Sequence, residues 1–148
     1  MIRLTKIFSF EMAHAIYGYP GACKNIHGHS YELHVTVSAE NNNNSYIPVP
    51  GFIIDFKEIK KMVTTGIIEK FDHKVILSRE FLLKNPSCSL QENLVIWEAE
   101  PTAENMLLFI QQALRKKLPD NIKLVHLKLF ETKDSYAEWL NDTTFNQY

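Results

Sequence analysis

Two stretches of the chain alternate apolar and polar residues with the period of a strand. In the first, Phe8, Phe10, Met12 and His14 share one parity and therefore one face. In the second, His27 to about Ala39, the residues Tyr31, Leu33, Val35, Val37 and Ala39 point with His27. Ser30, Glu32, His34, Thr36 and Ser38 point the other way. Such alternation predicts an antiparallel sheet with one face on a core. Gly51 to Asp55 reads as a short third strand. Asp55 is then a candidate N-cap, and Phe56, Ile59, Val63 and Ile67 follow at helical spacing. A second helix is predicted to start at Pro101-Thr102 with Thr102 as its cap. Its stripe is Leu107, Ile110, Leu114 and Leu118, and Pro119 stops it. Val125, Leu127, Leu129 and Glu131 share a strand face, and a last strand is expected near Tyr136 to Leu140. The order β-β-β-α-α-β-β describes an α+β domain over residues 1–148, with two helices packed on one face of an antiparallel sheet. Asn41 to Ser45 reads as an exposed hairpin loop. Ser78 to Glu100 reads as irregular, with Leu94-Val95-Ile96-Trp97 as a short edge strand.

Composition narrows the partners. At 148 residues and 45% hydrophobic, the chain is long enough to bury a core without staples. Sixteen basic against seventeen acidic residues leave a net charge of −1, without the basic footprint of a nucleic-acid binder. Apolar runs such as Met106 to Ile110 fall far short of the roughly 18 residues of a spanning helix, so no membrane partner is expected. The N-terminus lacks the apolar stretch of a signal peptide, and two cysteines make no disulfide framework. A cytoplasmic protein with reduced thiols is the expectation.

The candidate chemistry centres on six histidines. In His27-Gly28-His29 the two imidazoles fall on one strand face, and Gly28 would let another group approach the backbone. If the first two strands form a hairpin, His14 joins them. Three histidines make a zinc site of the catalytic type, with a fourth position open. The alternative is a set of hydrogen-bonded sheet histidines. Cys23, four residues before His27, reads in three ways: a fourth zinc ligand closing the site, a thiolate base or nucleophile activated by the metal and Lys24, or a small packed residue. Asp72-His73 is either a carboxylate–imidazole pair for proton transfer or a helix-end charge cluster. Glu131 ends an apolar face, where a carboxylate needs a partner: a salt bridge, or a ligand with paired N–H donors. Glu104 suits the first turn of its helix by the helix dipole alone. Cys88, His34 and His126 receive no chemical role.

Six motifs in order resemble one family over nearly the whole chain. They are Phe10-Glu11-Met12-Ala13-His14; Cys23 with three residues before His27-Gly28-His29; Gly51-Phe52-Ile53-Ile54-Asp55-Phe56; Phe71-Asp72-His73-Lys74; Pro101-Thr102-Ala103-Glu104-Asn105; and Glu131-Thr132. This pattern resembles the 6-pyruvoyl-tetrahydropterin synthase / 6-carboxy-tetrahydropterin synthase family. The resemblance implies the tunnelling fold, whose subunits join their sheets into a barrel, and a homohexamer built as a dimer of trimers. It implies zinc on His14, His27 and His29, Cys23 as general base with Asp72 and His73, and Glu131 on the pterin ring with Thr102 and Glu104 nearby. The three-residue gap between Cys23 and His27 resembles the bacterial branch. For that branch the implied reaction turns 7,8-dihydroneopterin triphosphate into 6-carboxy-5,6,7,8-tetrahydropterin, releasing acetaldehyde and triphosphate, for queuosine synthesis. The alternatives are a pyruvoyl synthase that stops at triphosphate elimination, and a non-catalytic zinc- or pterin-binding module.

Overall fold

In the computed structural model, which describes residues 2–40 and 45–141, six strands form one sheet in the order β4-β3-β1-β2-β5-β6. β1 (Leu4–His14) pairs antiparallel with β2 (His27–Ala39) along its whole length, from Leu4 opposite Val37 to His14 opposite His27. β2 pairs antiparallel with β5 (Ile122–Thr132), and β5 with β6 (Ser135–Leu140). The alternation in the sequence is realised. Phe10, Tyr31, Leu33, Val35, Leu127 and Leu129 are buried against the helices, and Phe10 stacks on Tyr31 at 5.1 Å. On the other face His34 meets Glu32 at 2.7 Å and His126 meets Glu138 at 3.0 Å.

The expectation of a purely antiparallel sheet is corrected. β3 (Lys74–Ser78) and β4 (Leu94–Trp97) run parallel, β3 beside β1 and β4 beside β3. Ile76, Leu77 and Ser78 are all buried, so β3 shows the continuous burial of a parallel strand. Gly51–Asp55 is also corrected: it is not a strand. Gly51 has φ +87° and its N–H bonds to Pro48 O at 2.7 Å, a left-handed turn that a strand cannot continue through. Asp55 caps α1 (Phe56–Val63) through Lys57 N–H at 2.8 Å, as expected, but Phe56 is exposed rather than part of the buried stripe. A π turn (Thr64–Ile68) joins α1 to α2 (Glu69–Phe71).

A third helical segment, α3 (Arg79–Lys84), lies in the stretch expected to be irregular, capped by Ser78 Oγ on Phe81 N–H at 3.0 Å. α4 (Ala103–Arg115) starts at the Thr102 cap and ends just before Leu118 and Pro119. Asn41–Asn44, the core of the expected hairpin loop, lie outside the described residues.

Two irregularities interrupt the pairing of β5. The register shifts opposite Thr36/Val37, so Leu124 faces Val37 while Leu127 faces Val35, and Val125 is the extra residue. A second shift between Phe130 and Thr132 makes Glu131 the extra residue against β6. Such bulges re-aim a side chain. The packing that anchors the Asp72-His73 turn is aromatic: Phe71 is buried 5.5 Å from Phe109 and 5.8 Å from Trp97. Among the described residues no helix is long and apolar enough to cross a membrane.

Candidate active site

The end of the β1–β2 hairpin places three imidazoles together. His14 opposes His27 in register, and His29 stands two residues on along the same face of β2. Ring centroids lie 4.6 Å (His14–His27), 4.9 Å (His27–His29) and 5.2 Å (His14–His29) apart. One nitrogen of each falls within 4.8 Å of the others. Backbone carbonyls orient two of the rings. His14 Nδ1–H donates to Pro101 O at 2.7 Å, and His27 Nδ1–H to Asn25 O at 2.8 Å. In both, the Nε2 lone pair is left for a ligand, the arrangement typical of metal-bound histidine. His14 Nε2 and His29 Nε2 are buried and make no hydrogen bond among the described residues. His29 Nε2 does approach Glu131 Oε1 at 3.3 Å, but without hydrogen-bond direction. Burial pushes both imidazoles below their ordinary pKa against the opposing pull of Glu131, which favours the neutral form that ligates. Orphaned buried nitrogens, neutral rings and carbonyl partners fit a metal ion. Hydrogen-bonded sheet histidines would not leave two buried Nε2 atoms unpaired.

Beside the cluster opens a cavity of about 330 Å³. Its walls include His14, Cys23, Thr102, Glu104 and Glu131. Five of the nine site residues expected from sequence therefore meet in one space, although they come from β1, the loop after it, α4 and β5. Cys23 is half-buried on a short 3-10 turn, Ala22–Lys24. It is not among the three residues whose ligand atoms gather within 4.8 Å of one another, though it lines the same cavity as His14. Gly28 makes no unusually close approach; a Cβ there would meet Met12 O at an ordinary 3.4 Å.

Asp72 and His73 lie elsewhere. They sit where the helix returns to β1, and His73 lines a second cavity of about 410 Å³, which His29 also lines. Asp72 Oδ1 accepts Glu11 N–H at 2.9 Å and holds His73 Nδ1 at 3.0 Å. His73 has a left-handed backbone (φ +59°), secured by its N–H to Glu11 O at 2.7 Å and by Asn93 Nδ2 on its carbonyl at 2.8 Å. Its side chain is 79% exposed. A residue held in that region is a strained position that its surroundings must secure.

The Glu11 N–H bond, then His73, hold the Asp72 carboxyl below its usual range. With the folded pKa below the unfolded one, its stabilisation is present above about pH 4 and lost as pH falls through the folded value. The side chain is 37% exposed, so the contribution is small. Asp72→Asn is expected to flatten the acid limb of stability, read as urea midpoints below about pH 4. An unchanged slope would contradict this.

Sequence reading missed Tyr31, Pro101 and Asn25 as supports. Tyr31 is buried with its hydroxyl 3.5 Å from His14 Nδ1, its ring set edge-on to His14 and His29, and burial keeps its phenol protonated. Its position on the inward face of β2 beside His29 was a usable signal. Pro101 and Asn25 act through backbone oxygens and carry none.

The solved structures of similar shape include an uncharacterized protein of Wolinella succinogenes (TM-score 0.78, 18% identity, 95% of this chain and 98% of that one). The 6-pyruvoyl tetrahydropterin synthase of Caenorhabditis elegans has a TM-score of 0.67 at 18% identity, with 95% of each chain covered. These show the tunnelling fold. In sequence, the chain is 32% identical over 143 residues to the 6-carboxy-5,6,7,8-tetrahydropterin synthase of Rickettsia bellii, covering 93% of this chain and 99% of the relative. It is 31% identical over 130 residues to the dihydroneopterin monophosphate aldolase of Pyrococcus furiosus, covering 88% and 90%. The family model described as 6-pyruvoyl tetrahydropterin synthase matches residues 3–142. With motifs, fold and nearly the full length in agreement, the chain belongs to the 6-pyruvoyl tetrahydropterin synthase family.

Proposed function

We propose that the chain is a zinc-dependent lyase that converts 7,8-dihydroneopterin triphosphate and one water to 6-carboxy-5,6,7,8-tetrahydropterin, acetaldehyde and triphosphate, as a step of 7-deazaguanine (queuosine) synthesis. The observation that carries this reading is the single cavity shared by His14, Cys23, Thr102, Glu104 and Glu131. The relatives named 6-carboxy-5,6,7,8-tetrahydropterin synthase support the choice of product.

His14, His27 and His29 would hold the zinc. A bound zinc ion supplies Lewis acidity for the hydroxyls of the substrate side chain. Glu131 accepts adjacent N–H donors of the pterin ring as a charge-assisted pair, with Thr102 and Glu104 on the neighbouring wall. Cys23 takes a proton from the substrate side chain as thiolate, and His73, oriented by Asp72, relays protons. Within one chain Cys23 and His73 line different cavities. The reading therefore brings the Asp72–His73 pair to the Cys23 cavity from a neighbouring subunit. Subunit association has a physical motive, since among the described residues β4 and β6 are the edge strands of the sheet. Ile96, Tyr136 and Leu140 on those strands are exposed. A homohexamer of two trimers that joins sheets into a barrel is the assembly proposed.

Glu131→Gln tests the pterin anchor. It keeps the shape but replaces an acceptor oxygen with a donor, which meets the ligand's N–H head on. Pterin affinity, read by fluorescence titration, should fall about tenfold to hundredfold for one lost charge-assisted bond. Zinc content is read alongside, because Glu131 Oε1 lies 3.3 Å from His29 Nε2. Wild-type affinity in this variant would make Glu131 a structural carboxylate. Acetaldehyde release separates the whole reading from triphosphate elimination alone, which leaves a diketone side chain.

A further inference from the structure

Glu100 is half-buried at the turn before α4 and does not line the cavity, yet it ties two of the cavity's walls together. Its Oε2 accepts Tyr17 N–H at 2.8 Å. Its carbonyl accepts Thr102 N–H at 2.9 Å and Asn105 Nδ2 at 2.9 Å. The next residue, Pro101, is the one whose carbonyl orients His14. On the other side, Tyr17 follows Ile16, whose N–H bonds to Cys23 O at 2.8 Å. A short chain of bonds therefore runs from the Cys23 turn, through Ile16 and Tyr17, to the Glu100 carboxylate, and on to the turn that holds His14 and caps α4.

The loop's other bonds are local: Lys24 N–H to Gly21 O at 3.3 Å, Asn25 N–H to Ala22 O at 3.0 Å and His27 Nδ1–H to Asn25 O at 2.8 Å. The Ala22–Lys24 turn has no side-chain cap and no buried residue, and Tyr17 and Tyr19 are exposed. A loop so lightly packed opens easily unless its backbone bonds hold it. A carboxylate makes the strongest acceptor for a single backbone N–H.

We propose that Glu100 is a positioning residue that straps the Cys23 loop to the α4 turn and thereby sets the reach of the thiol into the cavity. This rests on the proposed role of Cys23 as the base. Three variants separate the parts: Glu100→Gln keeps an acceptor, Glu100→Asp shortens the reach, and Glu100→Ala removes the strap. All are made with Cys88→Ala, so that only Cys23 reports on thiol chemistry. In Glu100→Ala the Tyr17 amide should exchange with solvent about tenfold to hundredfold faster, the scale of one lost bond to a charged group. Iodoacetamide should alkylate Cys23 faster in step. The kcat should fall about tenfold or more with a smaller change in KM, since misplacing a reacting group by an ångström is enough for that. Zinc content should stay at the wild-type level. Glu100→Gln should restore exchange and kcat to within about threefold, since a neutral acceptor keeps part of the bond. Glu100→Asp should behave like the alanine variant.

Wild-type exchange and alkylation in Glu100→Ala would overturn the proposal, as would a glutamine variant no better than alanine. Exchange and alkylation are read without substrate. A wild-type protein that fails to turn over dihydroneopterin triphosphate would therefore sink the proposed function, while those two rates still decide for or against the strap.

Discussion

Cys23→Ala and His73→Ala are each expected to lower turnover by roughly 10²- to 10⁴-fold, the scale of a lost general acid or base, while leaving zinc content and fold intact. Cys23 is half-buried on a turn whose change to alanine removes only the thiol. His73 is 79% exposed, so its imidazole contributes little packing. Neither loss should move the melting temperature much. The sharper result comes from mixing. The two side chains line separate cavities of one chain, so a site completed between subunits draws each from a different copy. When the two inactive variants are unfolded together and refolded, a random mixture should regain about one quarter of wild-type activity, because each symmetric site needs one intact copy of each. If one chain supplied both groups to its own site, every subunit would carry a defect and mixing would restore nothing. Light scattering on the same samples checks the hexamer. A concentration-independent monomer would count against the shared site.

The second large effect concerns the metal. Wild-type protein should carry about one zinc per chain on three histidines. His27→Ala or His29→Ala leaves two ligands. Affinity should then fall by more than the roughly 10- to 100-fold that a lost outer partner costs. Both positions are only partly buried, so alanine leaves a smaller void there than at His14, which is 2% exposed. Stability gives a second readout. Free zinc at a hundred times Kd should stabilise the wild type by about 2.7 kcal/mol and either variant scarcely at all. Unchanged zinc content in both variants, by elemental assay after dialysis, would refute the ligand assignment.

Much of this site was legible because strand parity is a strict rule. Phe10, Met12 and His14 had to share a face, and so did His27, His29 and Tyr31. A single hairpin register then brings the three imidazoles together. The caps Asp55 and Thr102 were legible for a similar reason, since a side-chain oxygen before a helical stripe has a local task. What escaped were features without a period. The run Ile76-Leu77-Ser78 is buried without alternation, and the parallel partners of its strand, β1 and β4, lie far off or beyond a helix in sequence. Ile53-Ile54 looked similar, but the left-handed turn at Gly51 takes it out of the sheet.

The place of Asp72-His73 was hidden for another reason. Adjacent residues reveal nothing about which cavity they reach, and here the positive φ of His73 and its bonds to Glu11 decide it. Carbonyl supports are the hardest to read. Pro101 reaches His14 across 87 positions with an oxygen that every residue has.

The central claim is the reaction. Zinc-loaded protein incubated with 7,8-dihydroneopterin triphosphate, with products read by mass spectrometry and the volatile fraction trapped as a hydrazone, tests it most directly. The expected products are 6-carboxy-5,6,7,8-tetrahydropterin, acetaldehyde and triphosphate in equal amounts, all formed at least about a hundredfold more slowly in Cys23→Ala. A diketone side chain without acetaldehyde, or substrate recovered unchanged, would contradict it.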